Sequence, residues 1–196
     1  MRYLALDFPD RVIAVHRMDG DLPAGDPATL TQEECDWIRE SQNWQAREGA
    51  YSTMHVTKPQ TAAVGLMDSP AGLAAWVVEK LQSWSDCKEG DVESVYTRDE
   101  ILELLTEYWV TGTIGSSIRS YRAMVGIPAD QLPRRVEVPS GFTMFPRHFK
   151  NAQRPWLERM TNLVYFSEPT RGGHFVPFED PELYVQELRK FLGTEF

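Results

Sequence analysis

His174 stands behind two glycines in Thr170-Arg171-Gly172-Gly173-His174-Phe175, directly ahead of VPFEDPELYVQELRKFL. Histidine is the side chain that takes up and returns a proton near neutral pH, so it is the first candidate for a base. The glycines give the backbone the freedom to aim the ring into a cleft. A surface or helix-capping histidine is the alternative reading. His148, in Phe145-Pro146-Arg147-His148-Phe149, lies upstream. A carboxylate in such a place would orient His174 and offset the charge it gains; a histidine can do only the first.

Two phenols offer a complementary chemistry. Tyr51 closes the polar stretch REGAY and Tyr121 follows Arg119-Ser120 in a helical run. A pair of phenols converging from helices would donate protons to a developing alkoxide. With seven tyrosines in the chain, packing in amphipathic helices is the competing account. His16 and His55 carry no partner signal and read as structural or surface residues. Trp76, Trp84, Trp109 and Trp156 read as packing or cleft-lining groups. Gly49, Gly65 and Gly72 form no phosphate loop, and neither GxGxxG nor GxxxxGK[ST] occurs, so no cofactor is expected. Two cysteines without a CxxC, and four histidines without compact spacing, predict reduced thiols and no metal.

These residues need elements to hold them. MRYLALDF has helical spacing, stops at Pro9-Asp10, and is followed by a strand-like Val12-Ile13-Ala14-Val15. Residues 19–31 form a polar Gly/Pro-rich connection, and Thr31-Gln32-Glu33-Glu34 caps a helix running to Glu40 or beyond. From Tyr51 the pattern is loop and helix. Ser69-Pro70 then heads the helix AGLAAWVVEKLQSW, and Arg98-Asp99-Glu100 heads another, with a break around Thr111-Gly112-Thr113 and a continuation as IGSSIRSYRAM. Short strands are predicted at Arg135–Pro139, ending in Ser140-Gly141, and at Asn162–Phe166, with a closing helix over Pro181–Leu192. Strand, short helix, strand, turn, helix is α/β layering, with residues 20–125 as a helical excursion. In such folds side chains converge in the loops after the strands, where His174 falls.

A hydrophobic fraction of 42% with 25% charged residues describes a globular chain, not a disordered one. Net charge of −9 without a Lys/Arg run argues against nucleic acid as a partner. No signal-peptide pattern opens the chain and no run reaches transmembrane length, which predicts a cytoplasmic protein.

Five segments, in order, resemble one family: YSTMHVTKPQT, LMDSPAGLAAWVVEKLQSWSD, YWVTGTIGSSIRSYR, VPSGFTMFPRHF and RGGHFVPFEDPELYVQELRKFL. They look like the C-terminal half of the microsomal-type epoxide hydrolases, within the α/β-hydrolase superfamily, over nearly the whole chain. The resemblance implies a cofactor-independent hydrolysis of a small-molecule epoxide to a vicinal diol. In that family an aspartate attacks the epoxide and forms an ester. Two tyrosines of a helical cap protonate the epoxide oxygen, and a histidine oriented by an acid activates water against the ester. His174 matches the water-activating histidine, Tyr51 and Tyr121 match the two phenols, and His148 falls at the position of the relay acid.

The departures from the family are equally specific. A GGDWG-like nucleophile elbow and an HGWP-like oxyanion loop are absent from the chain; both belong upstream of RYLALDFPD. The expectation is a partial α/β-hydrolase fold, with residues 1–19 and 126–196 as core and 20–125 as helical cap. The isolated chain is expected to be inactive. Either an N-terminal-half polypeptide completes it, or the exposed sheet edge drives self-association. A non-catalytic binding or structural remnant is the alternative. Glu137, Glu168, Glu179 and Asp180 are the candidate carboxylates to replace the missing acid.

Overall fold

The structure is a computed structural model describing residues 2–20, 27–128, 131–149 and 151–194 of the chain. It divides into two compact units, one made of Met1–Ser41 with Ala129–Phe196 and the other of Gln42–Pro128. Part of the predicted 19–31 connection, residues 21–26, lies outside the described residues.

Helix α1 covers Arg2–Asp7 and gives way to a tight turn at Pro9–Arg11, because the residue ahead of a proline avoids helical backbone. Strand β1 follows at Val15–Arg17. This corrects the predicted strand at Val12–Val15. The Val12 amide bonds back to the Pro9 carbonyl at 3.2 Å and Ile13 is 84% exposed, so extended pairing starts only after the turn is complete. Helix α2, Gln32–Glu48, opens on a reciprocal cap in which Thr31 Oγ1 accepts from the Glu34 amide and the Glu34 carboxylate accepts from the Thr31 amide.

The unit Gln42–Pro128 is helical: α3 Ala50–Thr57, α4 Pro59–Asp68, α5 Pro70–Trp84, α6 Arg98–Thr111 and α7 Ile114–Val125. Pro59 and Pro70 each take the first helical position, where a missing N–H costs nothing, and so divide the run. Ser69 Oγ caps α5 by accepting from the Gly72 amide at 3.0 Å. Thr97 and Glu100 form a capping box on α6. Gly112, at φ 61°, ends α6 in the left-handed conformation, at the predicted break. Leu66, Leu73, Ile114 and Ile118 form the buried centre, with Trp76 and Tyr108 packed against it. Among the described residues no single helix is long and apolar enough to cross a membrane; α4 and α5 are bent by 116° at their junction.

In the other unit, β2 (Val136–Thr143), α8 (Arg154–Met160), β3 (Thr161–Ser167), α9 (Val176–Glu179) and α10 (Pro181–Leu192) complete the fold. The strands form a parallel sheet in the order β1-β2-β3. β2 runs on through Ser140-Gly141, where the sequence predicts its end, because β1 and β3 pair with it from both sides up to Phe142. Val136 and Val138 pack with Ala5 and Val15, whereas Phe142 and Met144 join Trp37, Trp156 and Leu157. The register steps unevenly between these two groups. Helix α10 starts on the Asp180 cap and buries Leu183, Glu187 and Phe191, one per turn. The buried Glu187 carboxylate is satisfied by the Tyr165 hydroxyl at 2.7 Å and Lys190 Nζ at 2.5 Å.

Candidate active site

Because β2 and β3 are parallel neighbours, their C-terminal ends open at the same end of the sheet. The loops that follow carry His148 and His174. The Arg147 amide donates to the Gly172 carbonyl at 3.1 Å, and Arg147 pairs in parallel with Gly173, so the loops are zipped just ahead of the histidines. Gly172 adopts φ +104°, and a Cβ there would lie 2.8 Å from Phe145 Cδ1. Glycine is therefore required twice over. The Gly173 amide donates to the Glu179 carboxylate, tying the turn to α9.

His174 Nδ1 lies 3.0 Å from His148 Nε2. His148 is 7% exposed, and Phe149 stacks on it at 4.9 Å and 19° while meeting the His174 ring at 4.7 Å. In acid-histidine relays the orienting group holds Nδ1 and the other ring nitrogen does the chemistry. His148 occupies that orienting position. If His148 accepts, the His174 proton sits on Nδ1 and Nε2 is basic; if it donates, Nε2 carries the proton and His174 is no base. A neutral ring can select the tautomer but cannot balance an imidazolium. Of the predicted substitute acids, Asp180 is bound by Arg171 at 2.8 Å and caps α10, Glu137 pairs with Arg135, Glu179 holds the Gly173 amide, and Glu168 is exposed.

Tyr51 and Tyr121 meet in the helical unit. Tyr51 is on α3 and Tyr121 on α7, with ring centroids 5.8 Å apart at 86°. Burial first, then Tyr121 through its charge and hydroxyl, pushes the Tyr51 phenol above its ordinary value, so it remains a proton donor throughout the neutral range. The Lys80 ammonium lies 5.0 Å from the Tyr51 ring and 5.0 Å from the Trp84 ring. A cleft of about 530 Å³ opens beside Tyr51, lined also by Met54, Trp76 and Lys80.

His55, read from the sequence as structural or surface with no partner signal, has partners in the helical unit. It is 6% exposed, accepts from Trp76 Nε1 at 3.3 Å, and lies 4.7 Å from the Tyr121 ring. The signal was its spacing of four from Tyr51, which on a helix puts both on one face. His16 is structural: its Nε2 is 3.0 Å from Thr143 Oγ1, and it sits among Tyr165, Tyr184 and Phe191.

No family profile matches the chain. Epoxide hydrolase 1 of Sus scrofa is 39% identical over 156 residues, covering 75% of this chain and 34% of its own length. The solved epoxide hydrolase of Aspergillus niger superposes with a TM-score of 0.77 at 29% identity, over 97% of this chain and 48% of that one. This chain is a C-terminal-type region of the epoxide hydrolase family. The juvenile hormone epoxide hydrolase of the silkworm Bombyx mori, another epoxide hydrolase, superposes with a TM-score of 0.82 at 26% identity over 97% of this chain and 50% of that one. The parallel sheet with its helices is accordingly a partial α/β-hydrolase fold. The chain spans about a third of the length of the curated epoxide hydrolases it matches.

Proposed function

We propose that this chain supplies the donor and base groups of an epoxide-opening site, with residues 20–125 acting as the cap and residues 1–19 and 126–196 as part of the core. In the complete reaction a carboxylate oxygen bonds to an epoxide carbon, the carbon–oxygen bond breaks, and a phenol proton from Tyr51 or Tyr121 goes to the alkoxide. Water then attacks the resulting ester carbonyl, passing a proton to His174. The carbon–oxygen bond to the diol breaks, the departing alkoxide takes that proton from His174, and the carboxyl proton left behind returns to the phenolate, so the carboxylate is restored as the vicinal diol leaves. The observation that carries this reading is the phenol pair: two tyrosines from separate helices, ring centroids 5.8 Å apart, of which Tyr51 lines an open cleft.

The 196 residues hold no GGDWG-like elbow and no HGWP-like loop, so the attacking step has no nucleophile among them. On this reading the elbow and the oxyanion loop come from sequence outside these 196 residues, on the same polypeptide or on a second one. Incubating the chain with styrene oxide should give neither diol nor an adduct by intact mass, and adding a polypeptide that carries both should give diol. An ester adduct on the chain alone would overturn the proposal. Replacing both phenols by phenylalanine should remove epoxide binding.

One observation favours a second reading, a non-catalytic binding remnant. The group 3.0 Å from His174 Nδ1 is the imidazole of His148 and not a carboxylate, and a neutral group in place of the acid of a serine-protease relay costs about 10⁴ in turnover. On this reading His174→Ala leaves epoxide affinity unchanged even when the complete protein is assembled, and no diol forms.

A further inference from the structure

His55 is a buried group that the epoxide chemistry above does not use. An indole N–H can only donate, so the 3.3 Å bond from Trp76 Nε1 makes His55 Nε2 an acceptor. The ring proton is thereby placed on Nδ1, which is buried without a hydrogen-bond partner among the described residues. Proteins rarely leave a buried donor unsatisfied, and each such group calls for an explanation.

The neighbours supply one. The His55 ring lies 5.5 Å from Tyr51 at 85° and 4.7 Å from Tyr121 at 75°, while the phenols meet each other at 86°. Each of the three rings meets the other two edge to face, the arrangement that aromatic quadrupoles favour. His55 and Tyr51 share one face of α3, Tyr121 comes from α7, and Trp76 backs the imidazole from α5. The imidazole fills the corner between the two phenols. Turning it to the other tautomer would forfeit the Trp76 bond.

We propose that His55 is the positioning residue of the phenol pair: Trp76 locks one neutral tautomer, and the locked ring sets the angle at which Tyr51 and Tyr121 present their hydroxyls to one ligand oxygen. This deepens the reading of the phenols as epoxide-oxygen donors and rests on it.

The test uses the 196-residue chain labelled with ¹⁵N at histidine and ¹³Cζ at tyrosine, with Tyr51→Phe and Tyr121→Phe assigning the phenol signals and styrene oxide as the probe. At neutral pH His55 should show the Nδ1–H pattern. Trp76→Phe, which keeps the imidazole but removes its lock, should shift that pattern toward Nε2–H and move both phenol signals. Styrene oxide affinity should fall by about tenfold, a loss reasonable for slightly misplaced donors. His55→Gln, which still accepts from Trp76 and so preserves folding, should also displace both phenol signals. A wild-type Nε2–H pattern, or phenol signals in both variants that superimpose on wild type, would overturn the proposal. Should styrene oxide move neither phenol in the wild type, the epoxide reading fails, while the tautomer and the phenol shifts still decide the positioning role.

Discussion

Backbone brings His148 and His174 to 3.0 Å, whereas side chains bring Tyr51 and Tyr121 to 5.8 Å. The histidines hang from two loops that parallel strands release at one end of the sheet, zipped by the Arg147 amide and turned by Gly172. The phenols stand on two helices, and their angle depends on the volumes of His55 and Trp76 between and behind them. A backbone-built site delivers whatever residue it carries to the same place, so position 148 presents its polar atom to His174 Nδ1 through the course of the loop. A site built from side chains has no such tolerance, because each ring is another ring's wall.

The sharpest way to break this contrast is in the helical unit. Ile118 is 1% exposed at its centre, and Ile118→Ala should cost about 3 kcal/mol in urea unfolding and disturb both phenol signals. Gly172→Ala should cost about 2 kcal/mol, since the added Cβ meets Phe145 and the backbone must leave φ +104°; histidine ¹⁵N spectra should show the His148–His174 pair separating. If the pair survives, its geometry does not come from the turn. His148→Glu, which puts a carboxylate at a buried position, should cost on the order of 1 kcal/mol and let His174 hold its proton to higher pH, as a titration of its ring signals would show.

The smallest effect sharpens the comparison through acid. Burial holds His55 below the ordinary histidine value of 6.5, so at mildly acidic pH the unfolded chain binds a proton that the folded chain does not. That contribution to stability is present above about pH 6.5 and is lost as pH falls toward the folded value. The titratable groups facing it are Tyr51 from α3 and Tyr121 from α7, and the Lys80 charge over Tyr51 is paired with Glu79 at 2.7 Å. The melting midpoint should therefore drop between pH 7 and pH 5, and His55→Gln should lose that component; an unchanged slope would place the titration elsewhere.

Legibility in the sequence followed the range of the forces involved. The closing helix was readable to the residue because Asp180, Pro181 and the Leu183, Glu187, Phe191 stripe are local signals. The start of α6 at Arg98 and its break at Gly112 were readable for the same reason. β1 was misplaced because the Pro9 turn claims Val12, and β2 was cut short because pairing on both edges overrides the weak strand propensity of Ser140-Gly141. Tyr51 read as part of a loop because Gly49 interrupts the helical pattern just before α3. His148 and His174 could be named, but their contact depends on strand order, which no local window contains. His55 was read as structural or surface because its neighbours Tyr121 and Trp76 meet it only once α3, α5 and α7 are folded together.

The pairing of Val15 with Ser140 joins residues roughly 125 positions apart. At typical ribosomal speeds β1 emerges about 6–25 s before the strand it pairs with. The helices between, rich in short-range contacts, can form in a small fraction of that interval. The nascent chain thus acquires its phenol cluster first and its histidine pair last.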